Sequence, residues 1–308
     1  MAEARAATFP PAPRMGRPAA AIAGLAALAV VAVAAFMLLG ANGNWGFVLP
    51  FRATKLAGLA LVGYSVAVST VLFQTVTGNR ILTPSIMGFD TLFILIQTVV
   101  VFFFTSRALA AVDPRLQFVL EVAVMIGFSG LLFRWLFLGA ERSLHLLVLV
   151  GIVFGVFFRS LAGFMQRLLD PNAFQVLQDS FFASFSSIDA TLLGVSWAIV
   201  IVICLLLWRI GHVLDVLALG RATAISLGVD YRRTVVGILA MIAVLVAVST
   251  ALVGPITFFG LLVASLAHGL LGTSRHRWLL PAAVLLAVIC LVGGQTLLER
   301  VFAFDTAL

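Results

Sequence analysis

The stretch from Arg209 to Arg233 reads RIGHVLDVLALGRATAISLGVDYRR and is the longest polar interruption in an otherwise lipid-like chain. Apolar runs end near Trp208 and resume at Thr234, while charged residues stand inside the stretch among Ala and Leu. This pattern predicts a short helix at a membrane face, either resting there alone or presenting one side to a soluble partner. Gly220 and Gly228 are predicted chain reversals. The residues that fall near one helical face, at steps of three and four, are Leu217, Arg221, Ala224 and Gly228.

The composition predicts a membrane protein. The 308 residues are 63% hydrophobic and 10% charged, with a mean hydropathy of +1.19. A water-soluble domain cannot bury that much apolar surface, and no alternating barrel pattern appears, so we expect an all-α, polytopic transmembrane helix bundle in the cell membrane. The net charge of +7 lies at the ends of apolar runs and not in a patch. It therefore indicates membrane topology and argues against a nucleic-acid partner.

About nine spans are predicted, within a single transmembrane domain over residues 19–308. Residues 1–18 carry three arginines and four prolines and are predicted to form a disordered cytoplasmic tail. The distribution of Lys and Arg places the N-terminus and the 209–233 region in the cytoplasm. An odd number of spans puts Leu308 outside. The predicted spans are 19–41, 56–74, 88–105, 116–138, 144–163, 190–208, 234–252, a short run at 256–272, and 278–302.

Two features of the apolar runs point to a passage through the bundle. Between two spans, Pro84 and Gly88 interrupt the helix, and a non-helical connection at that depth must line a cavity or pack against protein. Gly151 and Gly155 form a GxxxG pair that allows close helix contact, and Arg159 continues the same face. Arg159 either lines a passage for an anionic solute or extends outward to the membrane surface. The passage candidates are Gln74, Asn79, Pro84, Gly88, Gly151, Gly155 and Arg159.

The sequence contains few residues that could support catalysis or ion-coupled transport. The only lysine is Lys55 and no GxxxxGK[ST] motif exists, so the chain cannot bind ATP through a P-loop. The four histidines lack metal-ligand spacing and are predicted to be solvated at membrane edges, so no metal, cofactor or catalytic residue is expected. Glu121 is the acid nearest a span interior. Ion coupling needs an ionisable group within the bilayer, and a secondary carrier or channel that works without an ATPase is the alternative function. No paired nucleophile and base supports an intramembrane enzyme.

Four segments in register resemble the permease subunits of importers for iron chelates (siderophores) and vitamin B12, which belong to the ABC transporters. They are Phe73-Gln74 through Asn79-Arg80 to Pro84-Ser-Ile-Met-Gly88, then Ser226-Leu-Gly228-Val, Gly254-Pro-Ile-Thr-Phe-Phe-Gly260-Leu-Leu-Val, and His276-Arg-Trp-Leu-Leu-Pro281. The segment from Met165 to Phe185 is most similar to the iron-siderophore branch.

The resemblance implies a permease that imports a ferric siderophore with a second permease subunit, a cytoplasmic ATPase dimer that uses ATP and Mg²⁺, and a soluble substrate-binding protein. It implies a tenth helix, which should follow Leu308 and is absent here. Basic positions that match the family's docking sites for the binding protein are Arg52, Lys55 and Arg300. The implied contact with the ATPase spans about Val213 to Leu227, and Gly228 follows it. The residues implied in coupling are Leu217, Gly220, Arg221, Ala224, Ser226, Leu227 and Gly228.

Overall fold

The computed structural model describes residues 18–40, 45–111, 113–137, 144–186, 188–300 and 302. Within these ranges the chain forms eleven α-helices, one 3₁₀ turn and no β-strand, which confirms the predicted all-α bundle. The helices are α1 Pro18–Leu38, α2 Trp45–Thr77, α3 Phe89–Ala111, α4 Pro114–Phe137, α5 Leu144–Gln166, α6 Pro171–Asp179, α7 Ala190–Leu217, α8 Arg221–Ser226, α9 Tyr231–Val253, α10 Phe259–Leu271 and α11 His276–Arg300.

Within the described residues, a helix lies in each of the nine predicted spans. Seven of them, α1, α2, α4, α5, α7, α9 and α11, are long and apolar enough to cross a membrane, as judged over the described residues. The other two predicted spans correspond to shorter apolar helices, Phe89–Phe104 within α3 and Phe259–Leu271, which is α10. The predicted tail of residues 1–18 lies outside the described residues, apart from Pro18 at the start of α1.

The helix α2 lies at the centre of the bundle, where it packs against α7, α9, α10 and α11. Its buried side chains, among them Leu61 and Leu72, share one apolar core with Ile238 and Leu245 of α9. Small residues bring α2 close to α11, since a Cβ added at Gly63 would lie 3.4 Å from the Cβ of Ala287. Lipid supplies no hydrophobic drive for helix association, so such close packing supplies the attraction between these helices.

The connection between α2 and α3 folds back into the bundle. Gly78 and Gly88 have φ angles of 63° and 90°, and a 3₁₀ turn over Pro84–Met87 lies between them. Thr83 and Pro84 face the same small cavity as Val66 of α2. Val66 lies roughly 16 Å along the helix from the end of α2 at Thr77. The predicted break at Pro84 and Gly88 is therefore confirmed, and α3 begins directly after it at Phe89.

A second break separates α9 from α10. Gly254 has a φ of 96°, and Phe258 has a φ of 61° and is the one residue other than glycine with positive φ among those described. The next helix begins against α2, because a Cβ at Gly260 would collide with the hydroxyl of Thr70. The short length predicted for the 256–272 run is thereby explained, since α10 begins inside the bundle.

An N-cap fixes the start of α7. The carboxylate of Asp189 accepts hydrogen bonds from the backbone N–H groups of Thr191 at 2.7 Å and Leu192 at 3.0 Å. The bond from Leu192, followed by that from Thr191, holds the pKa of Asp189 below its usual range. The predicted start of this span at residue 190 agrees with the structure.

Candidate functional site

The segment between α7 and α9 differs from the single short helix predicted at residues 209–233. α7 continues without a break past Trp208 to Leu217, because its buried face, with Leu207 and Leu214, extends beyond the apolar run. Gly220, with a φ of 95°, then breaks the helix, and α8 is only six residues long. The prediction that Leu217, Arg221, Ala224 and Gly228 share one helical face is wrong, since these residues lie in α7, in α8 and after α8.

Burial separates this segment into anchoring and presented residues. Leu217 and Ala224 are buried in the core and hold the segment against α7 and α9. Leu219, Ile225 and Leu227 are each more than half exposed. The sequence prediction missed Leu219 and Ile225 as surface residues, because helical spacing was counted across a glycine that breaks the helix.

Polar contacts give α8 a defined conformation. The Arg221 guanidinium lies over the ring of Tyr231, 5.7 Å from its centroid. The Ser226 hydroxyl donates to the carbonyl oxygen of Thr223 at 2.9 Å, and Gly228 has a φ of 85°. The Asp230 carboxylate accepts from the backbone N–H of Arg233 at 3.1 Å and caps α9. The segment thus presents apolar side chains and a cation on a fixed backbone, with chain reversals where the sequence predicts them.

The predicted passage glycines form a close contact between helices. A Cβ at Gly88 would lie 3.0 Å from the Cα of Gly155, and a Cβ at Gly151 would lie 2.9 Å from the Cα of Met87. The backbone after the 3₁₀ turn therefore rests directly on α5. The predicted close packing at the GxxxG pair is confirmed, and a role for Gly88, Gly151 and Gly155 in lining a passage stays a prediction.

The other passage candidates lie at different depths. The Gln74 amide Nε2 donates to the carbonyl oxygen of Arg80 at 2.6 Å, while its buried Oε1 has no hydrogen-bond partner among the described residues. Asn79 is exposed, and its Oδ1 accepts from the backbone N–H of Ile81 at 3.0 Å. Arg159 is exposed on α5 and within electrostatic range of Asp90. A role for Gln74, Asn79 and Arg159 in lining a passage stays a prediction.

A small polar cavity lies where the two helix breaks meet. Its volume is about 20 Å³, which suits a single water molecule. The buried carboxyl of Asp90 contributes an Oδ2 without a hydrogen-bond partner among the described residues. Sequence reasoning missed Asp90 as a buried group because the break that buries it was placed between spans. The lining also includes Ser69, Thr70, Thr83, Pro84, Ser249 and Thr250.

A second buried carboxyl lies between α3 and α4. The Glu121 carboxylate oxygen Oε1 accepts from Nε2 of Gln97 at 2.7 Å and from Nε2 of Gln117 at 2.8 Å. Glu121 is only 2% exposed. Two amide donors thus satisfy the acid that the sequence identified near a span interior.

Two of the three predicted docking cations are buried. Arg52 is 7% exposed, and its guanidinium donates to the carbonyl oxygens of Met37 at 2.7 Å and Leu39 at 2.9 Å, at the end of α1. Lys55 is 5% exposed and pairs with Glu299 of α11. Both cations are engaged with the chain itself, and a docking role for Arg52 and Lys55 stays a prediction. Arg300 is exposed, and its docking role stays a prediction.

One predicted edge histidine is not solvated. His276 is 3% exposed and contacts Asp215 of α7. The two residues lie far apart in the sequence, and no local spacing signals their contact. A cavity of about 220 Å³ adjoins them and is lined by Gln74, Thr75, Gly78, Arg80, Ala218, His268, Ser274, His276 and Leu279.

The helix bundle with two internal breaks and a presented α7–α9 segment is that of a transport permease. The FecCD transport family matches residues 18–307, and the chain belongs to this family. It is 47% identical over 266 residues to the petrobactin import system permease protein YclO of Bacillus subtilis (strain 168), covering 86% of this chain and 84% of that protein. It is 35% identical over 255 residues to the petrobactin import system permease protein FatC of Bacillus anthracis, covering 83% and 72%.

A solved structure has the same fold. It is described as an inward-facing conformation of a metal-chelate type ABC transporter, and it matches with a TM-score of 0.80. The match covers 94% of this chain and 92% of the solved chain at 20% sequence identity. More distant sequence relatives include the vitamin B12 import system permease protein BtuC of Vibrio parahaemolyticus, which is 29% identical over 266 residues, 82% of this chain and 75% of that protein.

Proposed function

We propose that this chain is the membrane permease of an ATP-driven importer that moves a ferric siderophore of the petrobactin type into the cytoplasm. The family assignment and the 47% identity to a petrobactin import permease support the substrate class. The observation that carries the mechanism is the α7–α9 segment, which combines buried anchors with exposed Leu219, Ile225 and Leu227. A segment built in this way can transmit a force from a partner into the bundle.

The partner at this segment is a cytoplasmic ATPase dimer. The chain has no P-loop, so the nucleotide must bind elsewhere. Three exposed apolar side chains beside the cationic Arg221 suit a groove on a soluble protein, in which apolar contacts are surrounded by polar ones. In this proposal α8 faces the cytoplasm, and so does the N-terminus, as the distribution of Lys and Arg predicts.

The opposite end of the bundle receives the substrate-binding protein. Arg300 ends α11 there as an exposed cation, whereas Arg52 and Lys55 hold helices together from buried positions. A second permease subunit, identical or similar, completes the passage. The described residues of one chain form a bundle closed by contacts such as Gly88 with Gly155.

Transport assays with Gly220→Pro and Arg221→Glu test the proposal. The permease is reconstituted in proteoliposomes with its ATPase and binding protein, and uptake of ferric petrobactin is measured. Proline cannot adopt the φ of 95° at Gly220, and glutamate reverses the presented charge. We expect wild-type uptake to require ATP, and both variants to insert into the membrane but lose uptake.

Arg277→Glu is the matched control, because it reverses an exposed charge outside the α7–α9 segment. It should retain uptake. Normal transport by both segment variants would remove the coupling assignment.

An ion-coupled carrier is the second candidate, and the buried carboxyls of Asp90 and Glu121 favour it, since such carriers use buried acids. The two candidates differ in energy source. Uptake that persists in vesicles without any nucleotide would support the carrier and contradict the ATP-driven importer.

A further inference from the structure

One imidazole joins three helices at the end of the bundle where the α7–α9 segment lies. The Asp215 carboxylate oxygen Oδ1, in the last turn of α7, accepts from Nδ1–H of His276 at 2.7 Å. The same oxygen accepts from the backbone N–H of His276 at 2.8 Å and so caps the start of α11. On the other side of the ring, Nε2 lies 2.6 Å from the hydroxyl oxygen of Thr75 in α2. We call these three residues the Asp215–His276–Thr75 bridge.

The hydrogen-bonding roles in the bridge are restricted. A carboxylate oxygen only accepts, so Nδ1 of His276 carries a proton and the ring is oriented with Nε2 towards Thr75. The Thr75 hydroxyl also lies 2.8 Å from the carbonyl oxygen of Val71, which holds it on the surface of α2. Both ring nitrogens are therefore engaged, and the imidazole cannot turn without losing a bond on each side.

A cavity beside the bridge leaves these hydrogen bonds as a direct connection between the end of α7 and α2. The cavity of about 220 Å³ is lined by Thr75, Ala218 and His276, so apolar packing between the end of α7 and α2 is interrupted at this place. Asp215 also lies one turn or less before Leu217 and Ala218, where α7 ends and the presented segment begins. A displacement of that segment reaches α2 and α11 here through short, directional bonds.

We propose that the Asp215–His276–Thr75 bridge passes movement of the α7–α9 segment to α2 and α11. This proposal rests on the proposed ATP-driven function and adds three positioning residues to it. The destination of the movement is consistent with transport, because α2 lies at the centre of the bundle and lines the polar cavity at the two helix breaks. Without the bridge, the ATPase should still hydrolyse ATP, but movement of the α7–α9 segment should no longer be transmitted to α2.

The test compares ferric petrobactin uptake with ATP hydrolysis in proteoliposomes that contain the complete transporter. Thr75→Val removes the partner of Nε2, and Asp215→Ala removes the partner of Nδ1 and the cap of α11. In both variants we expect uptake per ATP hydrolysed to fall about tenfold, the effect of losing one hydrogen bond, while ATP hydrolysis continues. Asp215→Asn should retain most of the uptake, because its Oδ1 still accepts both bonds.

Thr77→Val is the matched control, since the Thr77 hydroxyl donates to the carbonyl oxygen of Phe73 in the same helix at 2.7 Å and lies outside the bridge. It should transport as the wild type does. A wild-type ratio of uptake to hydrolysis in Thr75→Val would overturn the proposal, and so would an equal loss in Thr77→Val. If Asp215→Ala fails to fold, Thr75→Val alone decides. Wild-type uptake that needs no ATP would instead reject the proposed function itself.

Discussion

Gly151 of α5 lies directly against Met87, so that a Cβ at this glycine would approach the Met87 Cα to 2.9 Å. The Met87 Cα belongs to the backbone and cannot move aside as the end of a flexible side chain could, and the Cβ and Cγ of Met87 follow at 3.0 and 3.2 Å. Gly151→Ala should therefore lower stability by about 1–3 kcal/mol, as overpacking does in other cores. Thermal unfolding of the purified protein in detergent measures the effect.

The control for this prediction lies on the same helix. Gly163 has nothing within 4 Å of an added Cβ. Gly163→Ala should leave stability unchanged or raise it by roughly 0.5–1 kcal/mol, because alanine favours helix. Equal melting temperatures for Gly151→Ala and Gly163→Ala would contradict the backbone contact.

Arg52 stabilises the end of α1, where its guanidinium donates to the carbonyl oxygens of Phe36, Met37, Leu39 and Gly40. These carbonyls lack partners within the helix. Arg52→Gln should cost about 1–3 kcal/mol for each buried carbonyl that loses its donor. The exposed Arg300 gives the comparison, and Arg300→Gln should melt close to the wild type. A melting temperature unchanged by Arg52→Gln would show that the cap contributes little.

Arg300 is the proposed docking cation, and its side chain is exposed. Opposite surface charges mainly speed association, so Arg300→Glu should slow binding of the substrate-binding protein about tenfold at low salt. The difference should shrink as salt is added. Stopped-flow or surface-based kinetics on nanodiscs would measure it. Arg167→Glu reverses an exposed cation in the loop after α5, and a similar slowing by that variant would point to overall charge and not to a docking contact.

Substitutions at Glu121 distinguish a structural role of its carboxylate from a role in transport. Glu121→Leu leaves the Gln97 and Gln117 amides without their acceptor and should destabilise by about 1–3 kcal/mol for each orphaned donor. Glu121→Gln keeps an acceptor oxygen and should be milder. In an ATP-driven importer, Glu121→Gln should also retain uptake. Complete loss of uptake by a well-folded Glu121→Gln protein would favour an ion-coupled carrier.

Thr223, in the middle of α8, reports the orientation of the whole bundle. Thr223→Cys, in a background with Cys204 and Cys290 replaced by serine, should resist a membrane-impermeant maleimide in intact cells. The same cysteine should react in inverted vesicles, because α8 is proposed to face the cytoplasm. Labelling from outside intact cells would place α8 at the wrong side for an ATPase and would contradict the coupling role.

Local sequence predicted most of the architecture. Apolar runs longer than the bilayer thickness can only be helices, so the positions of the spans follow from composition and from where charges interrupt it. Gly220 and Gly228 are predicted from the sequence as chain reversals and Gly88 as a helix break, and all three have positive φ. The error at residues 209–217 has the same local origin. Helical periodicity continues beyond the apolar run, and the buried Leu214 and Leu217 show that the buried face of α7 extends past Trp208, where the predicted span ends.

By itself the sequence determined that this chain is a helical membrane bundle, where its helices break, and which permease family it resembles. These properties depend on hydropathy and on glycine or proline at particular positions, and both are local. Only the tertiary structure decided that Arg52 and Lys55 are internal partners, that Asp90 is buried, and that Asp215 meets His276 and Thr75. Such contacts join residues that are far apart in the chain. The sequence around a charged residue does not show whether its side chain contacts solvent, a binding protein or another helix.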